Sequence, residues 1–259
     1  MQTTKDWNPE LYLKFNEERT QPAKDLAARI NIENPGKIMD VGCGPGNSTN
    51  ILSSRWPESE LVGIDSSVSM IESAMKNYPD IEWRIEDATK METEEKYDII
   101  FSNATIQWIP DQKKLISDLV GMLETGGALA VQVPMYHNMP ASHVIDGVSL
   151  TGRWKELTSG ASDAFTFHSS DYYYHILSSQ VKSINMWQTS YFHIMPSHEN
   201  IVEMLKSTGM RKFLDMLETR EEKLEFEKDV LKEIKKAYSS QKDGNVLFPF
   251  KRLFFIGYK

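Results

Sequence analysis

Residues 37–47, Lys-Ile-Met-Asp-Val-Gly-Cys-Gly-Pro-Gly-Asn, set a short apolar run against glycines at 42, 44 and 46. A run this short, closed by a glycine-rich turn, reads as a buried strand, and the stretch from Asn47 reads as the start of a helix. Glycine lets the chain turn sharply and brings the backbone against a neighbour with no Cβ between them. A strand–turn–helix unit of this kind belongs to an open parallel sheet with helices on both faces. Its spacing is G-x-G-x-G, not the G-x-G-x-x-G of a dinucleotide turn, and it lacks the Lys-Ser/Thr of a phosphate loop. The carboxylate of Asp40 beside the turn would also repel a pyrophosphate.

The rest of the chain repeats that rhythm up to Pro134. Lys37–Val41 reads as the first strand, Leu61–Asp65 as the second and Ile81–Ile85 as the third. Tyr97–Ser102 is the fourth and Ala128–Val133 the fifth. Met70, Ile71, Ala74 and Met75 lie at helical spacing behind the capping residues Ser66 and Ser67. Leu115, Ile116, Leu119, Val120 and Leu123 do the same between Asp111 and Gly126-Gly127. A helix over Pro9–Ile30, broken near Pro22, precedes the first strand. Beyond Pro134 the pattern changes: 136–180 is mixed, Asn185–Ile194 alternates like a strand, 197–240 is helical and charged, and Val246–Tyr258 reads as a last, aromatic strand. The expected organisation is a βα core over 1–135, a mostly helical cap with one strand over 136–245, and a strand over 246–259 that completes the core sheet. Such a cap would lie over the carboxyl ends of the strands, where open α/β sheets bind ligands.

Composition narrows the partners. A formal net charge of −8, with scattered Lys and Arg, argues against binding a phosphate backbone. No run approaches the ~20 apolar residues of a membrane helix, and the N-terminus has no secretory pattern. One cysteine, Cys43, excludes an internal disulfide and agrees with a reducing compartment. The expectation is a cytoplasmic chain, monomeric for preference, with no nucleic acid or membrane partner. None of the six histidines shows metal-ligand spacing, so no metal is expected.

A turn flanked by Asp40 suits a ligand with a positive ammonium group, such as the amino acid end of S-adenosylmethionine. Asp65 ends the second strand about 20 residues past the turn, the place of a carboxylate that binds ribose hydroxyls, with Ser66 beside it. Asp87-Ala88 falls where an adenine amino group could find an acceptor, and Asn103 ends the fourth strand near the reacting centre. Each has a plainer reading. The turn could be a tight βα connection, Asp65 a helix cap and Asp87 a solvated turn residue, while the Cys43 side chain fills a small space under the turn. Their shared order at one end of one sheet favours the ligand.

With these residues in place the chain resembles the class I S-adenosylmethionine methyltransferases, whose sheet has seven strands. The segments DWNPELYLKF, NEERTQPAKDL, DVGCGPGNST, GIDSSVSMI, SNATIQWIPD, MPSH and FPFKRLFFI are similar to the trans-aconitate 2-methyltransferase family, from Asp6 to Ile256. The resemblance implies a Rossmann-like α/β fold and methyl transfer to a carboxylate of a small polycarboxylic acid. It implies a cofactor site lined by Arg19, Asp40, Gly42, Cys43, Gly44, Asp65, Ser66, Asp87, Ala88 and Asn103, with Gln107 and Trp108 facing the substrate. Arg19 would hold the cofactor's carboxylate. Between Asn138 and Tyr174 little matches the family.

A carboxylate with a pKa near ~4 is ionised at neutral pH and needs no general base to attack a methyl carbon. Aromatic residues can exclude water and face a sulfonium, and Tyr12 and Tyr191 are candidates beside Trp108. A polycarboxylate needs cationic partners, for which arginine is the better choice, and Arg252 in the last strand is favoured. Plain packing or surface exposure are the other readings of these residues. Two further functions stay open: another carboxyl methyltransferase, such as a malonyl-carrier-protein type, and a protein that binds S-adenosylmethionine without turnover. Amide or nucleobase N-methylation is disfavoured because Asn103-Ala104-Thr105-Ile106 is not an Asn-Pro-Pro-aromatic segment.

Overall fold

The computed structural model describes residues 16–91, 93–161, 166–206 and 208–259, with side chains from Thr20 onward. Helix α1 (Asn16–Ala28) leads into strand β1 (Lys37–Val41) and helix α2 (Asn47–Arg55). Strand β2 (Glu60–Asp65), helix α3 (Val68–Asn77) and strands β3 (Glu82–Ile85) and β4 (Tyr97–Asn103) follow. A 3-10 turn (Ile106–Trp108), helix α4 (Gln112–Gly121) and strand β5 (Leu123–Pro134) come next. The ends of α3 and α4 are set by local chemistry: the Ser67 and Asp111 side chains accept from the Met70 and Lys114 amides.

Helix α1 runs on through Pro22, against the expected break. Pro22 forfeits one helical hydrogen bond, but it lies on the same buried stripe as Ala23, Leu26 and Ala27, and packing of that stripe holds the helix together.

The sheet order is β3-β2-β1-β4-β5-β7-β6. β1 pairs in parallel with β2 and β4, as do β2 with β3 and β4 with β5. The last two strands are β6 (Ser183–Met195) and β7 (Val246–Tyr258). Gly126 and Lys259 bond across β5 and β7 at one end and Met135 and Lys251 at the other, so β7 runs antiparallel to β5. The sheet is therefore seven-stranded and mixed, as the resemblance implied. β1 and β4 are buried along almost their whole length, as central strands covered on both faces must be. The chain steps outward from β1 to β2 and β3, then returns to β4 on the other side of β1. Their carboxyl ends thus flank a topological switch point, where open sheets bind ligands.

The described residues form two compact units. The first takes the residues up to Val133 together with His168–Gln188 and Leu253–Lys259. The segment 168–188 contains helix α7 (Ser170–Ser178), whose buried Tyr173 donates its hydroxyl to Gln112 of α4 at 2.6 Å. The second unit comprises Pro134–Phe167 and Thr189–Arg252. Its helices are α5 (Pro140–Ser149), α6 (Trp154–Leu157), α8 (His198–Lys206), α9 (Arg211–Met216) and α10 (Arg220–Ala237). α10 starts at a capping box between Thr219 and Glu222 and buries Phe226, Val230 and Ile234 along one face. Among the described residues no helix is long and apolar enough to cross a membrane.

Candidate active site

The turn after β1 is closed by its own protein. The amides of Gly42 and Cys43 both donate to the Ile64 carbonyl, at 2.8 and 3.0 Å. The Gly44 amide donates to Asp65 Oδ2 at 3.0 Å and the Gly46 amide to the Cys43 carbonyl at 3.1 Å. With these donors engaged, the turn is not a cradle for phosphate. Gly42, at φ 71°, has no room for a side chain, because a Cβ there would stand 2.1 Å from Thr105 Cγ2. Gly44, at φ 55°, is the opposite case: nothing lies within 4 Å of where its Cβ would be. That face of the backbone is open to a ligand.

Asp40 sits beneath the turn. It is 1% exposed, and its Oδ2 accepts from Ser48 Oγ at 2.6 Å and Thr49 Oγ1 at 2.7 Å, both in the first turn of α2. Its Oδ1, also buried, accepts no hydrogen bond from the described residues. Burial disfavours the charge more than the two hydroxyls favour it, and the Asp65 carboxylate adds repulsion, so the Asp40 pKa is pushed up to about 6. Asp40 thus ties strand to helix as well as bringing negative charge to the turn, a role the sequence reading missed. The pair of hydroxyl residues directly after Asn47 was the available signal. The Cys43 side chain packs with Ile71, Ala74 and Trp83 beneath the turn. Burial, then the Asp40 charge, pushes its thiol well up, which leaves it a core group.

Asp65 accepts from the Gly44 amide on one oxygen and from the Ser67 amide, at 2.9 Å, on the other. Ser66 next to it is exposed. Asp87 is turned on its own loop. Its Oδ1 accepts from the Thr89 amide and hydroxyl at 3.0 and 2.7 Å, and its Oδ2 pairs with Lys90 at 2.9 Å. Lys90 foremost, then Thr89, holds its pKa below the usual carboxylate range. An acceptor expected to be open is therefore largely engaged, with Ala88 half-buried beside it.

β4 ends at Asn103, whose Oδ1 is buried and accepts no hydrogen bond from the described residues. Ala104 follows in the left-handed region at φ 56°, the one such non-glycine among the described residues. Thr105 Oγ1 lies 3.2 Å from the Gly42 carbonyl and 3.3 Å from that of Asn103, so the loops after β1 and β4 are joined. Gln107 is buried and its Nε2 donates to the Ala104 carbonyl at 2.6 Å, while Trp108 is half-buried.

In the second unit, Arg252 of β7 is buried with its guanidinium 4.6 Å from the Phe250 ring and 5.9 Å from the Tyr191 ring. Burial, then the Arg252 charge, lowers the pKa of His193 to about 4. Tyr12 lies outside the described residues, as does the side chain of Arg19 in α1. No group of three or more His, Cys, Asp or Glu among the described residues could hold a metal ion.

Two carboxylates beside an open glycine face, with the turn's amides already engaged, fit a cationic or hydroxyl-bearing ligand and not a phosphate. A family model described as a methyltransferase domain matches residues 38–127, which span β1 to β5's start. The trans-aconitate 2-methyltransferase of Yersinia pestis (strain Pestoides F) is 38% identical over 255 residues, 98% of each chain. That of Azoarcus sp. (strain BH72) is 36% identical over 250 residues, 96% of this chain and 98% of its own. This chain belongs to the trans-aconitate 2-methyltransferase family. The fold agrees: the YcgJ protein from Bacillus subtilis superposes at a TM-score of 0.59, with 11% identity, over 92% of this chain and 98% of its own. As a member of the trans-aconitate 2-methyltransferase family, the chain is an S-adenosylmethionine-dependent methyltransferase of small molecules.

Proposed function

We propose that the chain esterifies one carboxylate of trans-aconitate, as a cytoplasmic and monomeric enzyme that binds neither nucleic acid nor membrane. The observation that carries the substrate is the near-full-length similarity to the Yersinia and Azoarcus enzymes, which extends through the second unit as well as the cofactor half. When bound, S-adenosylmethionine supplies an electrophilic methyl group on a sulfonium. We assign the open face of Gly44, with Gly42, Cys43 and the Asp40 charge beneath them, to its amino acid end, together with Arg19. Asp65 and Ser66 are assigned to its ribose, Asp87 and Ala88 to its adenine, and Asn103 to the neighbourhood of the methyl group.

Transfer between a cation and an anion would give neutral products, so the residues around them would face a charge that fades toward the transition state. Excluding water and aligning the reacting atoms are what the protein must contribute, and no proton has to be removed from the acceptor. For the acid we assign Trp108, Tyr12, Tyr191 and Arg252 as contacts, Arg252 pairing with a carboxylate that is not methylated. Gln107, expected to face the substrate, already engages the Ala104 carbonyl through its amide nitrogen; any contact of its own falls to Oε1.

The test is transfer of labelled methyl from S-adenosylmethionine to trans-aconitate, with cis-aconitate, citrate, isocitrate and malonyl-carrier protein as alternative acceptors. Base-labile label on trans-aconitate above the others is the expected result. Label on another acid would move the substrate, and cofactor binding without label on any acid would overturn the proposal.

A further inference from the structure

We propose that Gln107 is a positioning residue: its carboxamide holds Ala104 in the left-handed conformation, and through Thr105 that conformation fixes the glycine turn after β1. The chain of contacts is continuous. Gln107 Nε2 donates to the Ala104 carbonyl at 2.6 Å. The Ala104 amide donates to the Gln132 carbonyl at 2.9 Å, so the residue is held on both sides of its α-carbon. Thr105 then lies with Oγ1 at 3.2 Å from the Gly42 carbonyl and with its methyl in the space a Gly42 side chain would occupy.

A left-handed backbone at a residue with a Cβ persists where surrounding contacts over-determine it, and such positions gather at functional sites. Here the buried side chain of Gln107 provides one of those contacts, and Ile106, fully buried, anchors the 3-10 turn that carries it. If Ala104 relaxed to negative φ, the Asn103 and Thr105 side chains would be redirected together, and the turn would lose its brace. Gln107 therefore acts on the cofactor half of the site without touching the ligand. This rests on the proposed seat of S-adenosylmethionine at the turn.

The experiment is a double-mutant cycle of Gln107→Leu and Ala104→Gly, because glycine adopts positive φ about as readily as negative. Two readouts are taken on the whole chain: amide hydrogen exchange over 103–105, and the affinity for S-adenosylhomocysteine. Gln107→Leu should speed exchange at Ala104 at least about tenfold and weaken S-adenosylhomocysteine about tenfold, a loss of about 1.4 kcal/mol. Adding Ala104→Gly should recover most of the affinity. Weakened binding that Ala104→Gly leaves unrecovered would mean that Gln107 touches the ligand itself and would overturn the inference, as would unchanged exchange. Faster exchange with unchanged affinity in every variant would keep the brace and refute the seat at the turn. If Gln107→Leu does not fold, Gln107→Met, which has a similar reach and no donor for the carbonyl, replaces it with the same expectations.

Discussion

A buried carboxylate whose pKa is pushed from 3.8 to about 6 is a cost to the folded protein at neutral pH. Because the folded pKa lies above the unfolded one, the associated stability is full below about pH 4 and is lost as pH rises through about 6. The shift corresponds to about 3 kcal/mol in total, of which about 1–2 kcal/mol is regained between pH 8 and pH 5. Asp40→Asn keeps an acceptor for Ser48 and Thr49 but cannot ionise. Its amide adds an unmet buried donor costing about 1–3 kcal/mol, which does not depend on pH. The variant's stability relative to the parent should therefore rise by about 1–2 kcal/mol from pH 5 to pH 8. For a domain of this size that is a relative gain of about 3–6 °C in Tm, read by calorimetry of the cofactor-free protein at both pH values. S-adenosylmethionine affinity should move the other way: a charge even ~10 Å from the sulfonium, at an effective dielectric of ~20, is worth about 1.7 kcal/mol, or about 15-fold. A Tm difference that is the same at pH 5 and pH 8 would refute the raised pKa and the reasoning built on it.

The two glycines should separate stability from binding. Gly42→Ala collides with Thr105 and should cost about 2–4 kcal/mol, from overpacking and the left-handed backbone together, seen as a lower urea midpoint. Gly44→Ala meets no neighbour and should cost only about 1–2 kcal/mol, yet weaken S-adenosylhomocysteine at least about tenfold in a titration. Tyr173→Phe removes a buried hydrogen bond to Gln112 and should lower stability by about 1–3 kcal/mol with cofactor affinity unchanged. Arg252→Ala should raise KM for the acid by about tenfold or more, with S-adenosylhomocysteine binding as in the parent; equal loss of both, or of neither, would remove Arg252 from the substrate contacts.

Features that depend on neighbours along the chain were legible from residue order alone. Lys37–Val41 is a strand with the expected bounds, Ser67 and Asp111 cap the helices that follow them, and three helices lie within the charged stretch 197–240, because periodicity and caps act within a few residues. The glycine spacing and Asp65 announced the ligand-bearing turn for the same reason. The other features depend on contacts between distant parts of the chain. Pro22 reads as a helix break until the buried stripe around it is seen to pack. Asp40 reads as a residue beside the turn, and its full burial follows from the way α2 folds back over β1 to bring Ser48 and Thr49 to it. Asp87 reads as an open acceptor until Thr89 and Lys90 close on it. The grouping of 168–188 with the core comes from contacts such as Tyr173 with Gln112, 61 residues apart, which no local pattern encodes. Ala104 is the clearest case: alanine has no preference for positive φ, and Gln107, Gln132 and Thr105 impose it from three directions.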